Sequence, residues 1–300
     1  MISKNSKTIA FLSPKIDTFT NPTLVVLIQK LIAKGYKIIY YGFDQLFVPS
    51  EYRKYFEFKE LPFNFYTLDK NPKSILKFVK QYLKLILDFK WHNKINALIC
   101  VDPMGLVIGG RLKKVIGFKL IYASFEIFFE DEFFVQRKRV LKKLEMNYSK
   151  LSDIVIIQDE RREKLLKSVN NFSAKTIFLK IPVSPLKTEV TENDYDIYND
   201  LKIPEDKIIV VYSGSLQNWS GISDIVSLFP EKWDNDFWLL IHTHQKLEEN
   251  SELKYEIENL IAHKQNITLQ EKPFFRFEEY FNFLSKCGIG IATYFPNNLD

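Results

Sequence analysis

The chain has 300 residues, of which 46% are hydrophobic and 26% charged, a composition that excludes a disordered chain and suffices for one large or two medium cores. Its net charge of +5 is unevenly divided, because residues 1–180 carry 32 Lys and Arg against 17 Asp and Glu, whereas residues 181–300 carry 10 against 20. A first half at +15 and a second half at −10 predict that the first half faces an anionic partner, either membrane lipid or nucleic acid.

The N-terminal segment has only about five apolar residues in a row, too few for a secretion signal. No later run reaches the roughly 18 apolar residues of a membrane span, so any membrane contact is expected to be peripheral. The two cysteines, Cys100 and Cys287, lie in separate strand-like runs, which favours buried thiols in a reducing compartment over a disulfide. We therefore expect a cytoplasmic protein.

Residues 1–181 alternate between short β-rich apolar runs and segments of helical period, as βαβ units of a parallel sheet do. The first predicted helix, 23–33, ends before Gly35, a residue type that commonly follows a helix. The predicted strands, all expected to be buried, are 9–13, 37–41, 97–101, 119–124, 153–158 and 176–181. This pattern predicts a Rossmann-like α/β domain over residues 1–181.

Within this domain, residues 71–94 predict a basic amphipathic helix that ends near Trp91. The lysines that share one of its faces are Lys73, Lys77, Lys80 and Lys84. One interpretation is a helix that lies on an anionic membrane surface, and the other is a helix packed on the sheet with a solvated lysine stripe. A second basic run, 137–143, favours the membrane interpretation.

Residues 182–206 contain three prolines and seven acidic residues without a clean period, and they are predicted to be an interdomain linker. The alternation then restarts with strands at 208–213, 237–242, 267–270 and 289–293 and helices at 222–229, 248–262 and 277–285. Residues 207–300 are therefore predicted to form a second Rossmann-like domain, which looks truncated because its four strands end without a covering helix.

The second domain has its strongest local signal at residues 210–221, where a strand runs into a small-residue turn that opens a helix. Gly214 and Ser215 let the main chain approach an anion, although an ordinary β–α turn has the same spacing. His242 ends the next strand in a His-Thr-His run and is predicted to form hydrogen bonds, since too few further ligands exist for a metal site. Lys272 follows a third strand, either to neutralise a phosphate or as an exposed strand-end lysine.

In the first domain, Asp102 and Glu126 follow the ends of two predicted strands. Their carboxylates are expected to line one crevice, although a helix cap is the alternative for each. No G-x-G-x-x-G motif follows the first strand, and G-x-x-x-x-G-K-[ST] and H-E-x-x-H are absent, so no cofactor is predicted. No nucleic-acid-binding module is recognised either, so nucleic acid is not the predicted partner, although the charge alone is compatible with it.

Four segments resemble motifs of one known group of enzymes, and the motif of that group is given in parentheses after each segment. They are 122–126 with 129–130 (Y-D-x-H-E-x-x-P-E), 145 with 151–157 (E-x-x-x-x-x-x-A-D-x-V-I-T), 212–221 (Y-x-G-x-x-x-x-x-K-G) and 285–292 with 294–297 (S-x-A-D-I-G-I-x-x-Y-x-P-N). On these motifs the chain resembles bacterial GT-B glycosyltransferases, and most of all the family 4-like group that builds surface polysaccharides. The chain departs from the pattern at Phe125, where the family has histidine, and at Ser220, where it has lysine.

The resemblance implies two Rossmann-like domains around a cleft that binds a nucleotide sugar, and transfer of the sugar with retention of configuration. No Asp-x-Asp metal motif follows a predicted strand, so we expect the transfer to need no metal ion. It implies a glycan or lipid-linked acceptor, presented at the cytoplasmic face of the membrane. The donor side would comprise Gly214, Ser215, Trp219, His242, Lys272, Pro296 and Asn297. The acceptor side would comprise Ser13, Pro14, Asp102 and Glu126. The family's pair of glutamates would lie beyond Asp300, so no catalytic residue is assigned, and a non-catalytic relative that binds a membrane or partner is the competing interpretation.

Overall fold

The computed structural model describes residues 7–14, 21–42, 53–61, 72–91, 95–130, 136–183, 196–216, 220–229, 232–243, 252–262, 266–272, 274 and 277–293. The chain divides into two compact units, Met1–Leu186 and Lys187–Asp300. Each unit contains one parallel β-sheet with helices between its strands. Within the described ranges, no helix combines the length and apolarity needed to cross a bilayer.

The first unit is a seven-stranded parallel sheet of order β3-β2-β1-β4-β5-β6-β7. Its strands are β1 Thr8–Leu12, β2 Lys37–Gly42, β3 Phe56–Glu60, β4 Ile95–Val101, β5 Lys119–Ala123, β6 Ile154–Ile157 and β7 Ile177–Lys180. Its helices are α1 Pro22–Ala33, α2 Pro72–Trp91, α3 Asp102–Ile116, α4 Gln136–Ser149 and α5 Glu160–Val169. The order reverses between β1 and β4, which is the doubly wound topology expected from the sequence.

All six strands predicted for the first half are present, within a few residues of their expected bounds. The sequence pattern missed β3, which lies at one edge of the sheet. The expectation that every strand is buried is wrong for β7 at the other edge, where Ile177 is 57% exposed and Leu179 is 44% exposed. Edge strands pair on one side only and pack less completely than central strands.

The core of the first unit lies on both faces of the sheet. Ala10 and Leu12 point to the cluster that contains α2 and α3, whereas Ile9 and Phe11 point to the cluster that contains α1. Gly109 of α3 lies directly against β4, since a Cβ atom there would be 2.1 Å from the Cys100 Sγ. Burial raises the pKa of the Cys100 thiol, so this cysteine is an inert core residue.

The second unit is a four-stranded parallel sheet of order β10-β9-β8-β11. Its elements are α6 Ile197–Leu201, β8 Ile208–Ser213, α7 Ile222–Leu228, β9 Phe237–His242, α8 Glu252–Ala262, β10 Ile267–Gln270, α9 Phe277–Ser285 and β11 Ile289–Ile291. Helix α6 lies within the segment expected to be a linker. Ile197 and Ile203 pack with Val211 and Phe283, so the end of that segment belongs to the core of the second unit.

A half-buried ion pair connects α3 to the residue before β6. The Asp153 Oδ2 accepts hydrogen bonds from the Lys113 Nζ at 2.6 Å and from the Leu120 N–H at 2.7 Å. Burial alone would raise the pKa of the Asp153 carboxyl, but these two donors outweigh it and hold the pKa below its usual value. A depressed carboxyl pKa contributes stability above the pKa of the unfolded chain, and this contribution is lost as pH falls through the folded pKa.

We therefore expect Asp153→Asn to cost about 1–2 kcal/mol at pH 6 and to flatten the fall of stability between pH 6 and pH 3.5. Urea unfolding at a series of pH values measures both effects. Glu160→Gln is the matched control, because Glu160 is 68% exposed and its pair with Lys164 is a surface pair. An Asp153→Asn profile parallel to that of the wild type would contradict the assignment.

Candidate functional site

The first site region lies at the carboxyl ends of the central strands of the first unit. The register pairs Leu12 with Cys100 and Val101 with Ala123, so β1, β4 and β5 end side by side. The Oδ1 atom of Asp102, the residue after Val101, accepts hydrogen bonds from the Phe125 N–H at 2.9 Å and the Glu126 N–H at 3.1 Å. Asp102 and Glu126 thus lie at one sheet edge.

The two carboxylates have different surroundings. Asp102 is 5% exposed, and its φ of +55° is in the left-handed region that residues other than glycine rarely adopt. Its hydrogen bonds to the β5 loop, residues 124–126, compensate for that backbone strain. Glu126 is exposed at the surface of this edge. Asp102 accordingly shapes the loop from which Glu126 projects.

Two side chains that the sequence analysis missed also hold the β5 loop. Gln158 Nε2 donates to the Ser124 carbonyl at 3.1 Å, and an Arg162 Nη donates to the Phe125 carbonyl at 2.7 Å. The Arg162 Nε donates to the Gln158 Oε1 at 2.6 Å, which orients both side chains. The position of Gln158 at the end of a predicted strand was the one sequence signal for this role.

The expected result of Asp102→Ala is a loss of about 1–3 kcal/mol of stability, because two N–H groups of the β5 loop lose their acceptor. Asp102→Asn is the matched control. Its amide oxygen keeps an acceptor in place, and asparagine tolerates positive φ better than alanine does. Urea unfolding compares the two variants, and equal losses would show that the carboxylate oxygen does not hold the loop.

Ser13 and Pro14 follow β1 at the same edge, and both are buried. The Ser13 N–H donates to the Tyr41 carbonyl at 2.9 Å, which fixes the end of β1 against β2. A Cβ atom on Gly42 would lie 3.5 Å from the Ser13 carbonyl oxygen, so the two strand ends approach closely. Residues 15–20 lie outside the described part of the chain.

The second site region lies at the carboxyl edge of the four-stranded sheet, where residues 214–216 form the β8 loop. Gly214 and Ser215 are half-buried, and the side chain of Leu216 anchors the loop in the core. The Tyr212 hydroxyl donates to the Ser215 carbonyl at 2.8 Å, and the Gly214 N–H donates to the His242 carbonyl at 3.0 Å. The β8 loop is thus a fixed, small-residue surface at the edge of the sheet.

The segment that follows the β8 loop leads into α7. Residues 217–219, including Trp219, lie outside the described residues. Ser220 is buried, and its carbonyl accepts a hydrogen bond from the Thr293 Oγ1 at 2.6 Å. Gly221 has a φ of +67° and directly precedes Ile222, the first residue of α7. Thr293, two residues after β11, therefore holds the segment that leads into α7.

His242 lies at the end of β9 with a side chain that is completely buried. Its Nδ1 atom is 2.7 Å from the Ser213 Oγ, and its Nε2 atom is 2.9 Å from the Lys272 carbonyl oxygen. The Tyr280 hydroxyl donates to the same Ser213 Oγ at 2.9 Å. The sequence analysis expected His242 to form hydrogen bonds. In the structure, each of its two ring nitrogens lies within hydrogen-bond distance of another group of the protein.

Lys272 is exposed, two residues beyond the end of β10. Glu271 beside it forms an ion pair with Lys254 at 3.7 Å. Of the other predicted donor-side residues, Pro296 and Asn297 lie outside the described residues, as does His244. Among the residues that are described, no three His, Cys, Asp or Glu side chains are grouped as metal ligands.

Comparison of the whole chain with solved structures places the two units in a known architecture. The chain resembles a sucrose-phosphate synthase from Thermosynechococcus elongatus with a TM-score of 0.67 and 15% identity, over 97% of this chain and 77% of that one. It resembles HepE from Anabaena, solved with UDP and glucose, with a TM-score of 0.68 and 11% identity, over 96% and 74% of the two chains. The chain has the GT-B fold.

The GT-B fold does not by itself decide the reaction. A protein described as a UDP-N-acetylglucosamine 2-epimerase from Listeria monocytogenes is also similar, with a TM-score of 0.59 and 11% identity over 95% of this chain and 74% of that one. No family model matches the sequence, and a search of curated proteins finds no match. On this GT-B scaffold, function therefore depends on the residues of the site.

Proposed function

We propose that this chain is a glycosyltransferase that moves a sugar from a nucleotide-sugar donor to a glycan or lipid-linked acceptor. The observation that carries the proposal is the β8 loop, a fixed small-residue surface at the carboxyl edge of the second sheet. Open parallel sheets bind ligands at this edge. The likeness to HepE solved with UDP and glucose supports a nucleotide sugar as the ligand class.

In the proposed reaction the donor diphosphate lies against Gly214 and Ser215, where the near absence of side chains lets the main chain approach the phosphate oxygens. Departure of the nucleoside diphosphate builds negative charge, which a nearby cation must compensate. Lys272, exposed at the same sheet edge, supplies that cation in our proposal. The reaction then needs no metal ion, and it proceeds with retention of configuration, as in the family that the sequence resembles.

The acceptor, in the same proposal, binds to the first unit. Glu126 is exposed on a loop that Asp102, Gln158 and Arg162 hold in place. An exposed carboxylate accepts hydrogen bonds from sugar hydroxyl groups, which is the chemistry that a glycan acceptor offers. Glu126 is thus the proposed acceptor contact, with Asp102, Ser13 and Pro14 shaping the surface around it.

Isothermal titration calorimetry with UDP-sugars and GDP-sugars tests the donor proposal. Binding of one of them, with release of the nucleotide when an acceptor is added, is the expected result. Absence of heat with every donor favours the second candidate, a non-catalytic GT-B protein that binds a membrane or partner. The observation behind that candidate is the basic first half, whose net charge is +15. Binding of a donor without transfer would instead favour an enzyme that converts the nucleotide sugar itself.

We further propose that α2 places the first unit against the anionic inner face of a membrane. Leu85 and Phe89 of α2 are buried in the core, whereas the outward face exposes Lys80 and Lys84. Leu83 and Leu87 are each 54% exposed. Exposed leucines beside lysines suit the boundary between headgroups and acyl chains. Lys73 and Lys77 continue this helix, but their side chains lie outside the described part.

Charge reversal of α2 tests the membrane proposal. Lys80→Glu/Lys84→Glu is expected to weaken sedimentation with phosphatidylserine vesicles by about 30-fold or more, since each lysine near such a surface is worth about 1 kcal/mol. Lys30→Glu/Lys34→Glu is the control, because it makes the same change of charge at the C-terminal end of α1. Helix α1 packs on the opposite face of the sheet from α2. Equal effects of the two double variants would contradict the α2 surface.

A further inference from the structure

His242 connects three separate elements of the second unit at one point. Its Nε2 atom faces a carbonyl oxygen, which can only accept, so Nε2 carries the ring proton and donates to Lys272 O. Its Nδ1 atom then accepts from the Ser213 hydroxyl, whose oxygen accepts from Tyr280. The hydrogen bonds therefore run in one direction, from Tyr280 through Ser213 and His242 to Lys272.

The main chain of β9 makes the same connection. The His242 carbonyl accepts from the Gly214 N–H at 3.0 Å, and the Thr243 N–H donates to the Gln270 carbonyl at 3.0 Å. Strand β9 lies between β8 and β10 in the sheet, so His242 lies between the β8 loop and the segment that carries Lys272. The side chain of His242 and the main chain of residues 242–243 thus both fix the β8 loop and the segment that carries Lys272 relative to each other.

An aromatic shell surrounds the imidazole. The ring centroids of Phe274, Tyr280 and Phe283 lie 5.1, 5.9 and 5.0 Å from that of His242. Hydrogen bonds in such an apolar, water-excluded setting are stronger and more directional than hydrogen bonds in water. A small displacement of the ring would therefore be transmitted to both the Ser213 side and the Lys272 side.

The geometry points to His242 as a positioning residue that sets Lys272 at the distance from the β8 loop that a nucleoside diphosphate requires. His242 does not touch the ligand; it acts through the Lys272 carbonyl and through Ser213. This inference rests on the proposed function, since it places the diphosphate between Gly214 and Lys272. It adds a residue that holds the two sides of that subsite together.

Two substitutions separate the two hydrogen bonds of the ring. His242→Asn keeps an acceptor at the position of Nδ1 for Ser213 but cannot reach Lys272. His242→Gln keeps a donor at the position of Nε2 for Lys272 but loses the acceptor for Ser213. Both remove the same ring, so they lose aromatic packing to a similar extent, and melting temperatures check that both variants fold.

The experiment is a double-mutant cycle read by calorimetric affinity for UDP and GDP. Lys272→Met is expected to weaken nucleotide binding about tenfold in the wild type, since hydrogen bonds to charged groups are the strong ones. It should weaken binding about as much in His242→Gln but less than about threefold in His242→Asn, where Lys272 has lost its position. Equal effects of Lys272→Met in all three backgrounds would overturn the positioning role while leaving the proposed function intact.

Nitrogen NMR of the ¹⁵N-labelled imidazoles gives a readout that needs no ligand. The His242 signal, identified by its loss in His242→Gln, should show a protonated Nε2 and an unprotonated Nδ1. A proton on Nδ1 in place of Nε2 would overturn the inference directly. Failure of the wild type to bind any nucleotide would instead refute the proposed function, and the inference that rests on it.

Discussion

Replacement of Lys142 by methionine is expected to destabilise the first unit by about 3–5 kcal/mol, because it leaves a buried carboxylate without its cation. Lys142 and Glu145 are 2% and 0% exposed, and the Lys142 Nζ lies 3.1 Å from the Glu145 Oε2. The other Glu145 oxygen accepts from the Tyr122 hydroxyl and the Asn170 amide, each at 2.9 Å. The network joins β5, α4 and the residue after α5, so its loss affects three elements at once.

Urea unfolding followed by circular dichroism measures the effect, with Lys143→Met as the matched control. Lys143 is the next residue of α4, is 64% exposed and pairs with Glu130 at the surface, so its replacement should change stability by less than about 0.5 kcal/mol. The double variant Lys142→Met/Glu145→Met removes both charges and should recover a large part of the loss. A Lys142→Met loss as small as that of the control would show that Glu145 tolerates burial without its cation.

The order and position of most strands could be predicted because each buried strand is a short apolar run between polar residues. Strands β8, β9 and β10 and helix α9 begin and end at the predicted residues. Strand β3 could not be predicted in the same way, since its sequence Phe-Glu-Phe-Lys-Glu is not an apolar run and has charged residues at three of its five positions. Lys59 of β3 is stabilised by Asp88 of α2 at 2.6 Å, a contact that depends on the tertiary fold.

The sequence predicted where the candidate site residues lie along the sheets, but not which groups their side chains contact. Parallel strands end at a common carboxyl edge of the sheet, and this rule, together with the small-residue turn after β8, singled out Asp102, Gly214 and His242 as candidates. It does not say which way a side chain points, so the complete burial of His242 and its bond to Ser213 had no sequence signal. Tyr280 joins this group from α9, 67 residues after Ser213, and only packing brings the two together.

The β8 loop offers the sharpest test of where the donor binds. Gly214 does not have a positive φ, so a larger residue there meets no backbone strain and acts through its side chain alone. A Cβ atom on Gly214 would lie 3.3 Å from the Tyr212 hydroxyl oxygen, closer than an ordinary contact. We therefore expect the branched side chain of valine both to push Tyr212 away from the Ser215 carbonyl and to fill part of the space in front of the loop.

We expect Gly214→Val to weaken binding of the nucleotide by about 100-fold, because the variant both blocks close approach to the main chain and removes the hydrogen bond that holds Ser215. Tyr212→Phe removes only that hydrogen bond and should cost less than about tenfold. Gly290→Ala in β11, where a Cβ atom meets nothing within 4 Å, controls for glycine replacement in the same unit. If Gly214→Val folds, as its melting temperature would show, and still binds UDP or GDP like the wild type, the diphosphate does not lie against the β8 loop.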